Sequence, residues 1–246
     1  MGFSPISGNG KFVRIAILDS GMPLHTDITV DKYQVENFTK SGSSCDVYGH
    51  STAIAGIIAA NGKSGIRGFA PDSDLWFAKC LLDENGEGDF DNVTRAVFWS
   101  IVKEVDIIVM AFGSSGEHQG LRDAIKKANR MGISIFAAAG NCTTRTKDAD
   151  YPARFDEVFS VGYAANISQN EAIMDGNNVK GLVLPNRDFD TTFTDSSFAT
   201  MRGSSMCVAA IAGIASLVFH NLRRDKKDIK NPQVLYNEIG KLAVKS

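Results

Sequence analysis

Short apolar runs alternate with helix-like stretches along most of the chain, and this alternation predicts a succession of strands and helices. Runs of strand length, rich in Val, Ile and Phe, are found at residues 13–18, 75–81, 105–112, 133–138 and 158–163. Helices are predicted at residues 50–61, 89–104, 121–131, 206–220 and from Pro232 to about Val244. The stretch 166–200 is polar, rich in Asn and Asp, and predicts no element.

Apolar strands that alternate with helices are typical of a mostly parallel β-sheet with helices on both of its faces. The predicted fold class is therefore α/β, with three layers and a single domain that spans residues 1–246. In such sheets, functional sites lie beyond the carboxyl ends of the strands. Asp19, the segment 112–114 and the pair Gly140-Asn141 all follow predicted strands, so we expect the chemistry there.

The composition disfavours two classes of function, nucleic-acid binding and membrane spanning. The 246 residues carry 26 basic and 28 acidic side chains, a net charge of -2, whereas a nucleic-acid-binding domain usually has a basic excess. No run of apolar residues reaches the roughly 18 to 20 that are needed to span a membrane. We expect neither a nucleic-acid partner nor a membrane partner.

The N-terminus and the cysteines favour a cytoplasmic protein. The first ten residues lack the basic region and apolar stretch of a secretory signal, and no folded propeptide is visible ahead of Asp19. The four cysteines are far apart in sequence and form no CxxC pair: Cys45, Cys80, Cys142 and Cys207. This spacing indicates free thiols and no cysteine-based metal site.

Four polar side chains stand at the boundaries of predicted elements. Asp19 follows the first strand, His50 and Ser205 begin small-residue helices, and Asn141 follows an Ala-Ala-Gly segment. A serine hydroxyl becomes a nucleophile when a neighbouring base accepts its proton. His50 is the candidate base, and its position at a helix N-terminus predicts a neutral imidazole. Asp19 would fix the tautomer of that imidazole.

Ser205 and Asn141 also suit the stabilisation of an oxyanion. The helix that begins at Ser205 offers a backbone N–H and its positive end, and Asn141 offers a side-chain donor. Taken alone, a motif such as that of Asp19, His50 or Ser205 is more often a turn or a helix cap. The three residues together, in this order along the chain, indicate acyl transfer. Packing or surface roles are expected for the remaining histidines, His25, His118 and His220, and core packing is expected for Cys207.

With this order of acid, histidine and serine, the chain resembles the subtilases, the subtilisin-like serine peptidases, from about Val13 to the last predicted helix. The similar segments are Asp19-Ser20-Gly21, Gly49-His50-Ser51-Thr52, Gly68-Phe69-Ala70-Pro71, Ala138-Ala139-Gly140-Asn141, Tyr151-Pro152-Ala153 and Gly203-Ser204-Ser205-Met206. The resemblance implies a subtilisin-like three-layer fold. It also implies a catalytic triad of Asp19, His50 and Ser205, with Asn141 as the oxyanion donor.

The resemblance further implies two substrate-binding edges. They are the segment Gly86, Glu87 and Gly88 and the opposite segment Ala111, Phe112 and Gly113, which with Ala138, Ala139 and Gly140 walls the pocket for the side chain preceding the scissile bond. A polypeptide held between them as an added strand gains main-chain hydrogen bonds. We expect the pocket floor in residues 166–193 and an apolar or extended side chain in the pocket, with Glu87 favouring a basic group farther from the cut.

The chain departs from the usual subtilase pattern at two helices. Ser51-Thr52-Ala53 follows the histidine where the family usually has Gly-Thr-His, and Ala209-Ala210 stands where it usually has Pro-His. Ser204 and Cys207 replace the usual Thr and Ala. Without the proline, the helix keeps a backbone N–H and should be more regular. We expect these changes to affect rate and leaving-group preference.

The expected function is that of a serine endopeptidase, which cleaves polypeptides through an acyl-enzyme. Two alternatives stay open, namely transfer of the acyl group to an amine, as in a peptide ligase or macrocyclase, and a catalytically weak subtilase fold used as a binding scaffold. A separate inhibitor or regulator protein is a further candidate partner. No cofactor is expected to be required. Family members often bind calcium near the loop 60–65, with Asp27 as a candidate ligand, but Lys63 and Arg67 disfavour a cation there.

Overall fold

The structure is a computed structural model that describes residues 6–81, 87–141, 149–164, 181–185 and 187–244. The strands in these ranges are β1 (Arg14–Asp19), β2 (Val35–Asn37), β3 (Asp74–Lys79), β4 (Ile107–Met110), β5 (Ser134–Asn141), β6 (Val158–Ala164), β7 (Gly181–Pro185), β8 (Phe189–Thr192) and β9 (Phe198–Met201). The α-helices are α1 (His50–Ala59), α2 (Phe90–Val102), α3 (Gln119–Arg130), α4 (Ser204–Arg224) and α5 (Pro232–Val244).

Seven of these strands form one sheet in the order β2-β3-β1-β4-β5-β6-β7. Every neighbouring pair in that sheet is parallel. Strands β1 and β4 are neighbours, with Ile17 opposite Val109, so their carboxyl ends lie side by side. Strands β8 and β9 form a separate antiparallel hairpin. The expectation of a mostly parallel sheet is confirmed.

Alternate residues of the central strand enter opposite cores. Ile15 and Ile17 of β1 pack in a core with buried residues of α1, α4 and α5, whereas Ala16 and Leu18 pack in a second core with residues of α2 and α3. Successive side chains of a strand point to opposite faces of the sheet. Helices therefore cover both faces, which confirms the three-layer α/β architecture.

Helix α4 lies at the centre of one helical layer. All of its residues from Met206 to Phe219 are buried. By length and composition alone this helix could cross a membrane, but 83% of its apolar window is buried inside the fold, as expected for a core helix. It runs without interruption from Ser204 to Arg224, in agreement with the regular helix expected in the absence of proline.

Most predicted elements are confirmed to within a few residues. Asp89 caps α2 by accepting a hydrogen bond of 2.9 Å from the N–H of Asp91, and Gly132 follows α3 with a φ of +88°. Strand β4 is shorter than the predicted run 105–112, and β5 extends beyond 133–138. The apolar pattern does not predict β2, β7, β8 or β9.

Candidate active site

A buried carboxylate holds the candidate histidine at one edge of the sheet. Asp19 is the last residue of β1 and is fully buried, and His50 is the first residue of α1. Both carboxylate oxygens of Asp19 lie 2.9 Å from Nδ1 of His50. An N–H on Nδ1 that donates to Asp19 leaves Nε2 as the basic atom of the ring.

A second buried carboxylate, which the sequence pattern does not single out, anchors the start of α1. Asp46 accepts hydrogen bonds from the N–H of Gly49 at 2.8 Å, from the N–H of Thr52 at 2.7 Å and from the Thr52 hydroxyl at 2.6 Å. Helix N-termini favour such anions because their first N–H groups have no partner within the helix. The only signal in the sequence is an acidic residue four positions ahead of His50.

The hydroxyl of Ser20 connects the two carboxylates. Its Oγ lies 3.1 Å from Oδ1 of Asp19 and 2.9 Å from Oδ1 of Asp46. The same oxygen accepts a hydrogen bond of 3.0 Å from the N–H of Ser51 in α1. The end of β1 and the first turn of α1 are therefore tied together beside the histidine.

The surrounding charges raise the pKa of His50 above its ordinary value. Burial alone lowers this pKa, but the charge and hydrogen bond of Asp19 and the charge of Asp46 outweigh burial. The raised pKa opposes the neutral form of His50 that its place at a helix N-terminus is expected to favour.

The candidate nucleophile lies at the same edge of the sheet, one strand away from Asp19. Ser205 is the second residue of α4, and its Oγ donates a hydrogen bond of 2.6 Å to the carbonyl of Ala111. Ala111 directly follows β4, the neighbour of β1. Among the hydrogen bonds of the described residues, none joins Ser205 to His50. In this conformation the hydroxyl proton is on the side of Ala111.

Asn141 is the last residue of β5, next to β4 in the sheet. Its backbone pairs with Tyr163 of β6 after a register shift that begins at Ala138. Gly140, immediately before it, has a φ of +89°, a conformation that glycine adopts readily and other residues rarely do. The side chain of Asn141 lies outside the described part of the structure, so its role as oxyanion donor stays a prediction.

The first candidate substrate edge is described in part. Gly86 lies outside the described residues. Glu87 is exposed, and Gly88 forms an antiparallel bridge with Leu81, which follows β3 by two residues. This segment therefore turns back along the continuation of a sheet strand.

The opposite edge continues β4. Ala111 is buried and Phe112 is half-buried, and beyond Gly113 the chain at Ser114 forms an antiparallel bridge with Tyr151. Ala138 and Ala139 of β5 are buried in the two opposite cores. At these two positions it is the backbone that can face a substrate.

The structure describes only part of residues 166–193, the region expected to form the floor of the pocket. Residues 166–180 and 186 lie outside the described residues. Strand β7 is at the edge of the sheet. In β8, Thr191 and Thr192 donate hydrogen bonds of 2.7 and 2.8 Å to the α1 carbonyls of Ala53 and Thr52. The described part of this region thus packs against α1 and the sheet edge.

The loop considered for calcium is held together by its own donors. Both carboxylate oxygens of Asp27 lie close to the N–H of Ser64, at 2.9 and 3.2 Å. Asn61 Oδ1 accepts from the N–H of Lys63 at 2.9 Å, and its carbonyl accepts from the Arg67 guanidinium at 3.2 Å. Calcium needs six to eight oxygen ligands, and these oxygens already face N–H donors and a cation. The residues of this loop do not fit the ion.

Other reactive side chains in the described structure have packing roles. His25 contacts the Ser197 carbonyl through Nε2, at 3.1 Å, and is nearly buried. His118 caps α3 by accepting from the N–H of Leu121, and Nδ1 of His220 lies 3.0 Å from the Lys11 carbonyl. Cys207 is buried in α4, and burial raises the pKa of its thiol to about 12, in agreement with core packing.

Comparisons with known proteins show which proteins the chain is similar to. The sequence pattern of the subtilase family matches residues 10–225. The chain is 31% identical over 219 residues to the major intracellular serine protease of Bacillus subtilis (strain 168), covering 85% of this chain and 69% of that protein. It is 32% identical over 247 residues to the intracellular serine protease of Paenibacillus polymyxa, covering 96% and 75%. It is 29% identical over 213 residues to subtilisin of Bacillus pumilus, covering 85% and 77%.

A parallel α/β sheet that brings an acid, a histidine and a serine to one edge, taken with these relatives, defines the class as serine endopeptidases. Within that class, the chain belongs to the subtilase family.

Proposed function

We propose that this protein cleaves peptide bonds through an acyl-enzyme, with Ser205 as the nucleophile, His50 as the base and Asp19 as its orienting acid. The observation that carries the proposal is the pair of 2.9 Å contacts from the Asp19 carboxylate to Nδ1 of His50. A histidine held in this way presents Nε2, the atom that accepts the serine proton in such a triad. The buried carboxylate also stabilises the imidazolium that forms during attack.

Activation of Ser205 in this mechanism requires a change of hydrogen-bond partner. Its Oγ donates to the Ala111 carbonyl in the structure, and the same proton must pass to Nε2 of His50 during attack on a peptide carbonyl. Ala111 belongs to one candidate substrate edge. A substrate strand docked there would compete for that carbonyl and release the hydroxyl toward His50.

Two donors are proposed to hold the negative charge that develops on the peptide oxygen. One is the backbone N–H of Ser205, in the first turn of α4, where N–H groups have no partner within the helix. The other is the side-chain amide of Asn141. Loss of one such donor typically lowers turnover on the order of 10² to 10³.

The proposed substrate is a polypeptide, bound as an extended strand between the two edges. Two relatives are named intracellular serine proteases, which supports a cytoplasmic site of action for this chain. A separate inhibitor or regulator protein is proposed as a partner that would restrain the activity there. We expect water to accept the acyl group, because no feature of the described residues marks a second binding site for an amine.

Labelling with a fluorophosphonate tests the proposed nucleophile. Intact mass and peptide mapping should place one adduct on Ser205, and Ser205→Ala and His50→Ala should abolish it. His220→Ala is the matched control, since His220 lies near the C-terminal end of α4, and it should label like the parent. Labelling that survives in Ser205→Ala would contradict the proposal, and no labelling at all would favour the binding scaffold.

A peptide ester separates hydrolysis from acyl transfer. With and without an added amine, the products are measured by mass spectrometry, and the free acid should dominate in both cases. Amide product that exceeds acid at modest amine concentration would show a ligase or macrocyclase instead.

A further inference from the structure

Asp150 is fixed between the two segments that wall the candidate pocket. Its backbone N–H donates to the carbonyl of Ala139 in β5, at 3.3 Å. The next residue, Tyr151, exchanges two backbone hydrogen bonds of 2.8 Å with Ser114, just beyond β4. Asp150 therefore spans the gap between the continuation of β4 and the end of β5.

The carboxylate of Asp150 lies against the two glycines of those segments. A Cβ placed on Gly113 would be 2.7 Å from Cβ and 3.3 Å from Oδ2 of Asp150, and a Cβ placed on Gly140 would be 2.7 Å from the same Oδ2. The resemblance to the subtilases places both glycines in the pocket walls, but it does not single out Asp150. The only signal in the sequence is an acidic residue directly before Tyr151-Pro152-Ala153.

This position is within reach of the reacting serine. Ser205 donates to the carbonyl of Ala111, and Gly113 is two residues farther along the same extended segment. Two residues span at most about 7 Å. A long side chain that enters the pocket from a peptide bond at Ser205 would therefore bring its end to the carboxylate.

The Asp150 carboxylate has no hydrogen bond or ion pair with any other residue that the structure describes. The nearby Arg154 is directed elsewhere, since its Nε donates to the Ala149 carbonyl at 2.9 Å and its guanidinium lies 5.1 Å from the centre of the Tyr151 ring. A half-buried carboxylate in such a place is most stable when a cation approaches it.

We propose that Asp150 determines specificity in the primary pocket and selects substrates with Arg or Lys immediately before the scissile bond. This inference rests on the proposed endopeptidase function and sharpens it. An Arg side chain can donate two parallel hydrogen bonds to one carboxylate, and a Lys ammonium can approach it as a point charge. The inference narrows the expectation of an apolar or extended side chain to an extended cationic one, since an apolar side chain there would leave the carboxylate desolvated and unpaired.

A matched pair of peptides tests the inference. The two differ only in arginine or citrulline before the scissile bond, because citrulline has nearly the shape of arginine without its charge. The parent enzyme should cleave the arginine peptide with a kcat/KM roughly ten- to a hundredfold higher. Asp150→Asn should remove most of this preference while still cleaving the citrulline peptide, which also shows that the variant folds.

Asp156→Asn is the control variant. Asp156 is exposed and lies six residues farther along the same segment. The substitution therefore removes the same charge without changing the pocket, and the preference for the arginine peptide should persist. Equal cleavage of both peptides by the parent, or a preference that survives in Asp150→Asn, would overturn the specificity assignment alone. Failure to cleave either peptide, together with no fluorophosphonate adduct on Ser205, would overturn the proposed function and this inference with it.

Discussion

The carboxylate of Asp46 accepts two hydrogen bonds from Thr52, one of 2.7 Å from its backbone N–H and one of 2.6 Å from its hydroxyl. This double contact fixes the first turn of α1, whose first residue is His50. Asp46 touches neither the ring of His50 nor Ser205 through a hydrogen bond in the described structure. It is a positioning residue, which also adds a negative charge near the imidazole.

Removal of the Asp46 charge should move the acid limb of the pH profile. The base must be neutral to accept a proton, and Asp19 and Asp46 both raise the pKa of His50, so the acid limb of kcat/KM should lie above the ordinary histidine value of about 6.5. In Asp46→Asn the limb should move to lower pH. The measurement is kcat/KM for a peptide substrate across a pH series.

The same variant should also lose stability, by about 1–3 kcal/mol, because charge-assisted hydrogen bonds to the α1 N-terminus become neutral ones. Asp156→Asn removes an exposed charge that has no hydrogen bond or ion pair among the described residues, and it should leave both the limb and the free energy of unfolding unchanged. A limb that stays in place in Asp46→Asn would show that Asp46 acts on the fold alone.

The sequence predicts which edge of the sheet carries the site, because it predicts where the strands end. The apolar runs before Asp19 and Ala111 define two strands whose side chains are buried on both faces. Parallel neighbours place their carboxyl ends together. The segments that carry Asp19 and Ala111 therefore come together from local patterns alone, without knowledge of the sheet order.

The hairpin of β8 and β9 and the positions of Asp46 and Asp150 are not predictable in this way. Thr191 and Thr192 are fully buried although polar, because their hydroxyls donate to carbonyls of α1. Asp46 and Asp150 lie in loops, and their positions depend on partners distant in sequence. These features are determined by tertiary contacts and not by a local periodicity of the sequence.

Chelation should leave the folded state unchanged. The side-chain oxygens of Asp27 and Asn61 already accept hydrogen bonds from N–H groups of the loop 60–65, so no ion is needed to satisfy them. The melting temperature should be the same in EDTA and in millimolar calcium, since only a ligand that binds the native state raises it. A rise with calcium concentration would contradict this prediction.

Asp27→Asn should lower stability by about 1 kcal/mol or more, whether or not calcium is present, because it weakens a charge-assisted hydrogen bond to the N–H of Ser64. A loss of stability that appears only with calcium present would instead identify Asp27 as an ion ligand.

The thiol of Cys207 should be unreactive in the native protein although it lies two residues from Ser205. Burial raises its pKa to about 12, and burial also raises the pKa of Cys80 well above its ordinary value. The thiolate is the reactive form. Iodoacetamide at pH 8 should therefore label the half-buried Cys45 before either of them, and unfolding in guanidinium should expose all three. Rapid native labelling of Cys207 would contradict the core-packing role.

Two glycine-to-alanine changes in helices should have opposite effects on stability. A Cβ on Gly56 in α1 would fall on the hydroxyls of Thr191 and Thr192, which hold β8 to that helix. Gly56→Ala should therefore cost about 1–3 kcal/mol through overpacking. A Cβ on Gly240 in α5 would meet nothing within 4 Å, so Gly240→Ala should add about 0.5–1 kcal/mol through helix propensity alone. Urea unfolding of both variants measures the two effects, and a stabilised Gly56→Ala would show that β8 can move away from α1 at little cost.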